Sequence, residues 1–250
     1  MRVVSAPATT PSPADPMPPD PRLPGPLVPD PLLPATARRT AVVIAICCAI
    51  IVLVLAVLVA HTSRPDALDR AVDSWLKARL GGHQRLLILL MDPGEPIQSI
   101  ILTAVVAVAC LAARRTEGAV LTVVSAVLAS GIAELVLKPI VHRTLGTFVV
   151  YPSGHTCRAF MLAAVLVVLM LSPPKRPVRP ALAIAVGALL FLAGCAVGVA
   201  VICLDFHYFT DTIGGAALGV CVVIATAFAL DVPGIRGRLT TARRMSTRPA

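Results

Sequence analysis

The sequence predicts an all-α fold: a polytopic membrane helix bundle with six transmembrane helices and a short interfacial helix in the first outer loop. Three observations carry this reading. Of the 250 residues, 57% are hydrophobic and 14% charged, against the ~25% charged usage of soluble domains. Six runs without a charged residue recur along the chain, and each, with its flanks, approaches the ~20 residues that cross ~30 Å of hydrocarbon. The 22 Lys and Arg gather in short segments beside those runs, which is how membrane topology is encoded.

Taken in order, residues 1–37 hold 12 of the 23 prolines and no periodic apolar pattern. Such a segment buries no core and reads as an extended, disordered tail. Residues 38–230 form the six-helix domain, built on the runs Ala41 to Ala60, Ile97 to Ala113, Ala119 to Ala133, Ala159 to Leu171, Ala181 to Leu204 and Thr212 to Leu230. The first starts too late and is too long for a usual signal peptide, so it is a retained helix. The third and fourth reach spanning length only through Glu134 and Arg158, which puts polar groups near their ends. Residues 231–250 are a basic tail.

With six crossings, one side carries both tails and the 114–118 and 172–180 turns, and with them 14 of the 22 Lys and Arg. The positive-inside tendency therefore places both termini in the cytoplasm of a multi-pass cell-membrane protein. The net charge of +9 is accounted for by this orientation and does not indicate a nucleic-acid partner. All five histidines fall on the outer side. In the outer 61–96 loop, Leu68, Val72, Trp75 and Leu76 recur at helical spacing before Gly81 and Gly82. That pattern fits a helix on the outer surface with Trp75 at headgroup level, and equally a cap packed over the bundle. The seven cysteines lie in or beside apolar runs without framework or metal-like spacing and read as small apolar residues. Gly194 and Gly198, and Gly215 and Gly219, have the spacing that lets membrane helices approach closely.

Parity brings separated residues to one outer mouth. Lys138 ends the third helix, His155 begins the fourth, and His207 and Asp211 lie between the fifth and sixth. Ionisable groups at membrane depth are costly enough to read as functional. In Pro152-Ser153-Gly154-His155, Ser153 can cap a helix whose first amides form an anion site, Gly154 lets a ligand come close, and His155 can offer a proton. The same four residues also suit an ordinary capped helix with an interfacial histidine. His207 and Asp211 are spaced i, i+4, so the carboxylate can fix the imidazole tautomer and leave the other nitrogen free to attack an electrophile, or simply tie two helix ends together. Lys138 and Arg143 add positive charge, and Glu134, one turn before Lys138, holds or neutralises the lysine.

The ordered set of Lys138, Pro152 to His155, and His207 with Asp211 resembles the type 2 phosphatidic acid phosphatase family of integral membrane lipid phosphatases. The resemblance covers roughly residues 66 to 230. Two positions depart from the family pattern. Leu145-Gly146 stands where the first motif ends in Arg-Pro, leaving Arg143 as the nearest arginine, and Ala200-Val201 stands where the third motif begins Ser-Arg. Arg158, one turn beyond Ser153, is positioned to substitute for the missing phosphate ligand; a headgroup-snorkelling arginine is the alternative.

The resemblance implies that His207 attacks phosphorus to give a phosphohistidine, that Asp211 orients it, and that His155 protonates the leaving lipid oxygen and then activates water. Lys138, Arg143, Ser153 and the Gly154 amide would neutralise the phosphoryl oxygens, without a metal or other cofactor. The substrate would be a phosphorylated lipid, such as a phosphatidate, a phosphatidylglycerol phosphate or a polyprenyl diphosphate, met at the extracytoplasmic side. Two other classes compete. A catalytically weakened relative would bind or transport a phospholipid, and a metal or haem protein would use His155, His207 and Asp211 as ligands.

Overall fold

In the computed structural model, which describes residues 31–172 and 180–235, the chain is helical almost throughout. The proline-rich segment 1–30, the turn at 173–179 and the basic segment 236–250 lie outside the described residues. The helices are α1 (Ala35–Val59), α2 (Ala67–Leu80), α3 (Gln84–Met91), α4 (Pro96–Ala112), α5 (Thr116–Gly131), α6 (Lys138–Val141), α7 (Gly154–Leu171), α8 (Pro180–Cys203) and α9 (Phe209–Leu230). A two-stranded antiparallel hairpin, β1 (Thr144–Leu145) with β2 (Phe148–Val149), joins α6 to α7.

Among the described residues, five segments are long and apolar enough to cross a membrane: α1, Thr116–Val141, α7, Ala181–Cys203 and α9. The expected second crossing differs from a single straight helix. There α4 has only 17 residues, and a sixth crossing arises only if Gln84–Gly94 and Pro96–Ala112, bent by 50°, count together. Pro93 and Pro96 lie at this bend; proline has no amide to donate and its ring obstructs the preceding turn. The third crossing is longer than the apolar run suggests, because α5 runs on through a π-helical stretch, Ile132–Leu137, into α6.

The centre of the bundle is α9, which packs along α7 and α1, while α7 also touches α5 and α8. The closest approach is that of α9 to α7. A Cβ on Gly215 would lie 2.3 Å from the Ser153 carbonyl oxygen, and one on Gly219 would lie 2.4 Å from that of Cys157. Only glycine lets the backbones meet this way. Large apolar side chains such as Val57, Leu135 and Ile184 are exposed on the outside of the bundle, the inverse of a soluble protein and suited to lipid. Mostly helical and multiply apolar, the chain has the character of a multi-pass membrane protein.

At the bundle end that carries the α7 and α9 starts, α2 packs on α8 and α9. Leu76 is buried there with Leu87, Met91, Val201 and Ile202, while Leu68 and Trp75 stay exposed, with Arg79 stacked 4.3 Å over the Trp75 ring. At the opposite end the Asp231 carboxylate accepts hydrogen bonds from the amides of Leu32 and Leu33 and pairs with Arg38.

Candidate active site

The segment Thr116–Val141 delivers its polar groups through its irregular end. A π-helical stretch widens the turn and is frequent at functional sites; here it contains Glu134, whose Oε2 accepts from Lys138 Nζ at 2.7 Å. His142, in the left-handed region at φ 46°, ends α6 and sends the chain into the hairpin. Gly146 sits in the hairpin loop at φ +61°. A proline, fixed near −65°, could not take that place, so Leu145-Gly146 in place of Arg-Pro goes with a tight turn that this chain makes and an Arg-Pro pair would not.

The start of α7 is set by Ser153, whose Oγ accepts from the Thr156 amide at 3.4 Å and from the Thr156 hydroxyl at 3.0 Å. Its own amide donates to the Asp211 carbonyl oxygen at 3.0 Å, which ties the α7 start to α9. The α9 start is built as a capping box: Asp211 Oδ2 accepts from the Tyr208 amide at 2.9 Å. Beginning at Phe209, α9 starts three residues before the apolar run does, and so includes Asp211 in its first turn.

These elements surround one cavity of about 750 Å³ lined by Lys138, Glu134, Gly154, His155, Arg158 and His207 at its polar end. Its other walls are apolar or weakly polar residues of α4 and α5, among them Ile100, Ala104, Val123 and Val127. The His155 and His207 rings stand 5.9 Å apart between centroids. Arg158 is fixed by a 2.7 Å bond from Nε to the Gly94 carbonyl oxygen. Of the sequence-derived site residues, Lys138, Gly154, His155, Arg158 and His207 thus meet at one cavity. Gly154 packs against Glu134 and Arg158, since a Cβ there would lie 2.9 Å from Glu134 Oε1 and 3.0 Å from an Arg158 nitrogen.

Two expected phosphate ligands, Ser153 and Arg143, and the expected orienting residue Asp211 stand behind that wall. Ser153 is fully buried in its cap. Asp211 is also fully buried, with Oδ2 3.9 Å from His207 Nδ1, beyond a direct hydrogen bond. Arg143, 1% exposed, faces away from the cavity towards two carboxylates: Nη1 donates to Asp211 Oδ1 at 2.7 Å and to the Thr210 hydroxyl at 2.6 Å, and Nη2 donates to Asp69 Oδ2 at 2.5 Å. The guanidinium therefore touches the array that backs His207 and does not line the cavity.

Electrostatics follow from this burial. Burial pushes the His207 imidazole down to about 3, with the His155 and Lys138 charges adding to the effect. That shift favours the neutral imidazole at physiological pH. Two further polar groups join the site unannounced by any motif. Glu95, the residue before α4, places Oε1 3.2 Å from His155 Nε2, and Asp69 of α2 meets Arg143. Both belong to the acid-containing 61–96 segment, in which alternating charge hides which carboxylates turn inward.

Residues 138–231 match the family model described as the PAP2 superfamily. The match is consistent with the type 2 phosphatidic acid phosphatase-like family that the motifs resemble. Its limits enclose Lys138, the α7 start, His207 and Asp211, the residues that converge on the cavity and on its rear wall. Members of this superfamily are phosphatases, so the match supports a hydrolase acting on phosphorylated substrates. No curated protein and no solved structure matches the chain. Within the matched segment, Val201 is fully buried in the apolar cluster beneath α2, beside Leu76 and Met91. The place of the third-motif arginine is thus used for packing, and the guanidinium at the cavity is that of Arg158.

Proposed function

We propose that the chain is a lipid phosphate or lipid diphosphate phosphatase working at the outer membrane-water interface through a phosphohistidine on His207. The observation that carries this is the two-part cavity. Its polar end gathers Lys138, Arg158 and two histidines, while its apolar walls between α4 and α5 suit a hydrocarbon tail. Phosphatidate, phosphatidylglycerol phosphate and polyprenyl diphosphates share that division into an anionic head and an apolar chain.

The substrate phosphoryl group rests on Lys138, Arg158 and the first amides of α7, and Ser153 supports those amides through its cap. The free nitrogen of neutral His207 donates its lone pair to phosphorus, the P–O bond to the lipid breaks, and the leaving oxygen takes a proton from His155. Positive charge that develops on the His207 ring is answered by Asp211, towards which a small movement closes the 3.9 Å gap. Water then attacks phosphorus, His155 takes its proton, the N–P bond breaks and inorganic phosphate leaves. Glu95 holds the His155 ring between these steps. The charge on the phosphoryl oxygens is met by side chains and amides, so the reaction proceeds without a metal.

A second reading has its own observation. Val201 is committed to the apolar cluster, so a member with one cation fewer could bind or transport a phospholipid without hydrolysing it. A lipid phosphate panel, assayed with purified wild type and His207→Ala in the presence of EDTA, separates the two. The phosphatase reading expects release from at least one lipid by wild type and none by the variant. No release from any lipid favours the binding protein, and release unaffected by His207→Ala removes the proposed nucleophile.

A further inference from the structure

Asp69 lies in the first turn of α2, outside the matched segment, 142 positions before Asp211, and is fully buried. A buried carboxylate persists only where its charge is met. Here Oδ1 accepts from the Thr210 amide at 2.9 Å, and Oδ2 accepts from the Thr210 hydroxyl at 3.2 Å and from Arg143 at 2.5 Å. Arg143 bridges the two carboxylates, giving Asp69 its Nη2 and Asp211 its Nη1. Oδ1 of Asp211 is thus engaged by Arg143, while Oδ2, which accepts from the Tyr208 amide, lies 3.9 Å from Nδ1 of His207, a buried nitrogen without a hydrogen-bond partner.

We propose that Asp69 is a positioning residue for the reaction at His207: it shares the Arg143 charge with Asp211, and so leaves Asp211 both correctly placed and negative enough to stabilise the imidazolium. The proposal rests on the phosphatase reading above. With both carboxylates present, the buried array of two acids and one guanidinium carries a net negative charge beside the ring. Without the Asp69 charge, the guanidinium acts on Asp211 alone, draws its oxygen away from His207 and weakens it as an acceptor when the ring becomes positive. The effect falls on the transition state and not on the binding of the lipid head, which sits on the other face of His207.

The same helix supplies the control. Asp73, one turn along, accepts from the Phe209 amide at 3.2 Å and so also docks α2 on the α9 start, but it makes no hydrogen bond to Arg143. A role limited to docking would make the two carboxylates equivalent, whereas a positioning role separates them.

The test measures kcat and KM of full-length wild type, Asp69→Asn and Asp73→Asn in mixed micelles, on whichever of phosphatidate, phosphatidylglycerol phosphate and a polyprenyl diphosphate is hydrolysed fastest. Asp69→Asn is expected to lower kcat by ~10-fold or more with KM within about twofold, as loss of a charge-assisted hydrogen bond predicts. Asp73→Asn is expected to stay within about twofold in both. Thr210→Val, which removes only a hydroxyl shared by Arg143 and Asp69, should lower kcat in the same sense and serves if Asp69→Asn does not fold. An Asp69→Asn kcat within about twofold of wild type, equal losses in the two aspartate variants, or a rise in KM alone overturns the proposal while leaving the phosphatase reading intact. With Asp69→Asn unfolded, wild-type kinetics in Thr210→Val overturn it. No release by wild type from any of the three lipids overturns both.

Discussion

Arg143 and Asp211 are joined at 2.7 Å through Oδ1 with both side chains buried, and Oδ2 of that carboxylate, which caps the Tyr208 amide, stands 3.9 Å from His207 Nδ1. Replacing Asp211 therefore has two separable consequences. Asp211→Asn keeps the shape and the Tyr208 cap but removes the charge, and is expected to lower kcat by ~100-fold or more. Asp211→Ala also loses the cap and leaves Arg143 with a missing partner, at a cost of about 3–5 kcal/mol in stability. Steady-state kinetics and thermal unfolding of the two variants, side by side, check both statements.

Arg158 reaches the cavity while its Nε is held by the Gly94 carbonyl oxygen. Arg158→Ala is expected to weaken vanadate inhibition and to lower kcat/KM by ~10–100-fold, the worth of one charged contact to a phosphoryl oxygen. Arg158→Lys should recover only part of this, because a lysine has no second group with which to keep the Gly94 contact. Unchanged vanadate affinity in Arg158→Ala would assign this arginine to packing alone.

The closest approach of α7 and α9 makes a stability statement. Gly219→Ala puts a Cβ 2.4 Å from the Cys157 carbonyl oxygen and is expected to cost about 1–3 kcal/mol as the helices separate. Gly215→Ala, at 2.3 Å from the Ser153 oxygen, should add a loss of kcat, since it parts the helix starts that carry His155 and Asp211. Thermal midpoints measured in one detergent, followed by phosphate release, test the pair.

How much of this was legible in the sequence depends on the range of the interaction. The apolar runs announced the helices, and the parity of the crossings brought Lys138, His155 and His207 to one mouth, because hydrophobic length and short polar segments are local properties. The bend at Pro93 and Pro96 shows the limit: an apolar run of adequate composition became a short α4 only because two prolines interrupt its approach. Spacing to Lys138 alone predicts that Arg143 is a phosphate ligand. Its actual orientation depends on Asp69, 74 residues away, and on the hairpin turn at Gly146, neither of which the motif contains. Glu95 was equally hidden, since its partner His155 lies 60 positions on.

Asp73 gives a pH dependence with a definite sign. Burial, with the Asp69 charge second, raises its carboxyl from 3.8 to about 6. The folded pKa is above the unfolded one, so the folded state takes up the proton first, and the contribution of this group to stability grows as pH falls from about 6 towards 3.8. Above pH 6 the charged form is penalised. Asp73→Asn should therefore raise the thermal midpoint at pH 7.5, and the difference from wild type should shrink steadily between about pH 6 and 4. A difference independent of pH would place the origin of the effect elsewhere.

The central claim is that His207 carries the phosphoryl group. It is tested most directly by quenching His155→Ala in alkali during turnover of an aryl phosphate labelled at phosphorus, whose good leaving group needs no proton from His155, so that this variant forms the intermediate and hydrolyses it slowly. The account predicts an acid-labile, alkali-stable label that peptide mass spectrometry places on His207 and that is absent from a His155→Ala, His207→Ala double variant. Label on another residue, or label that persists in the double variant, would contradict it.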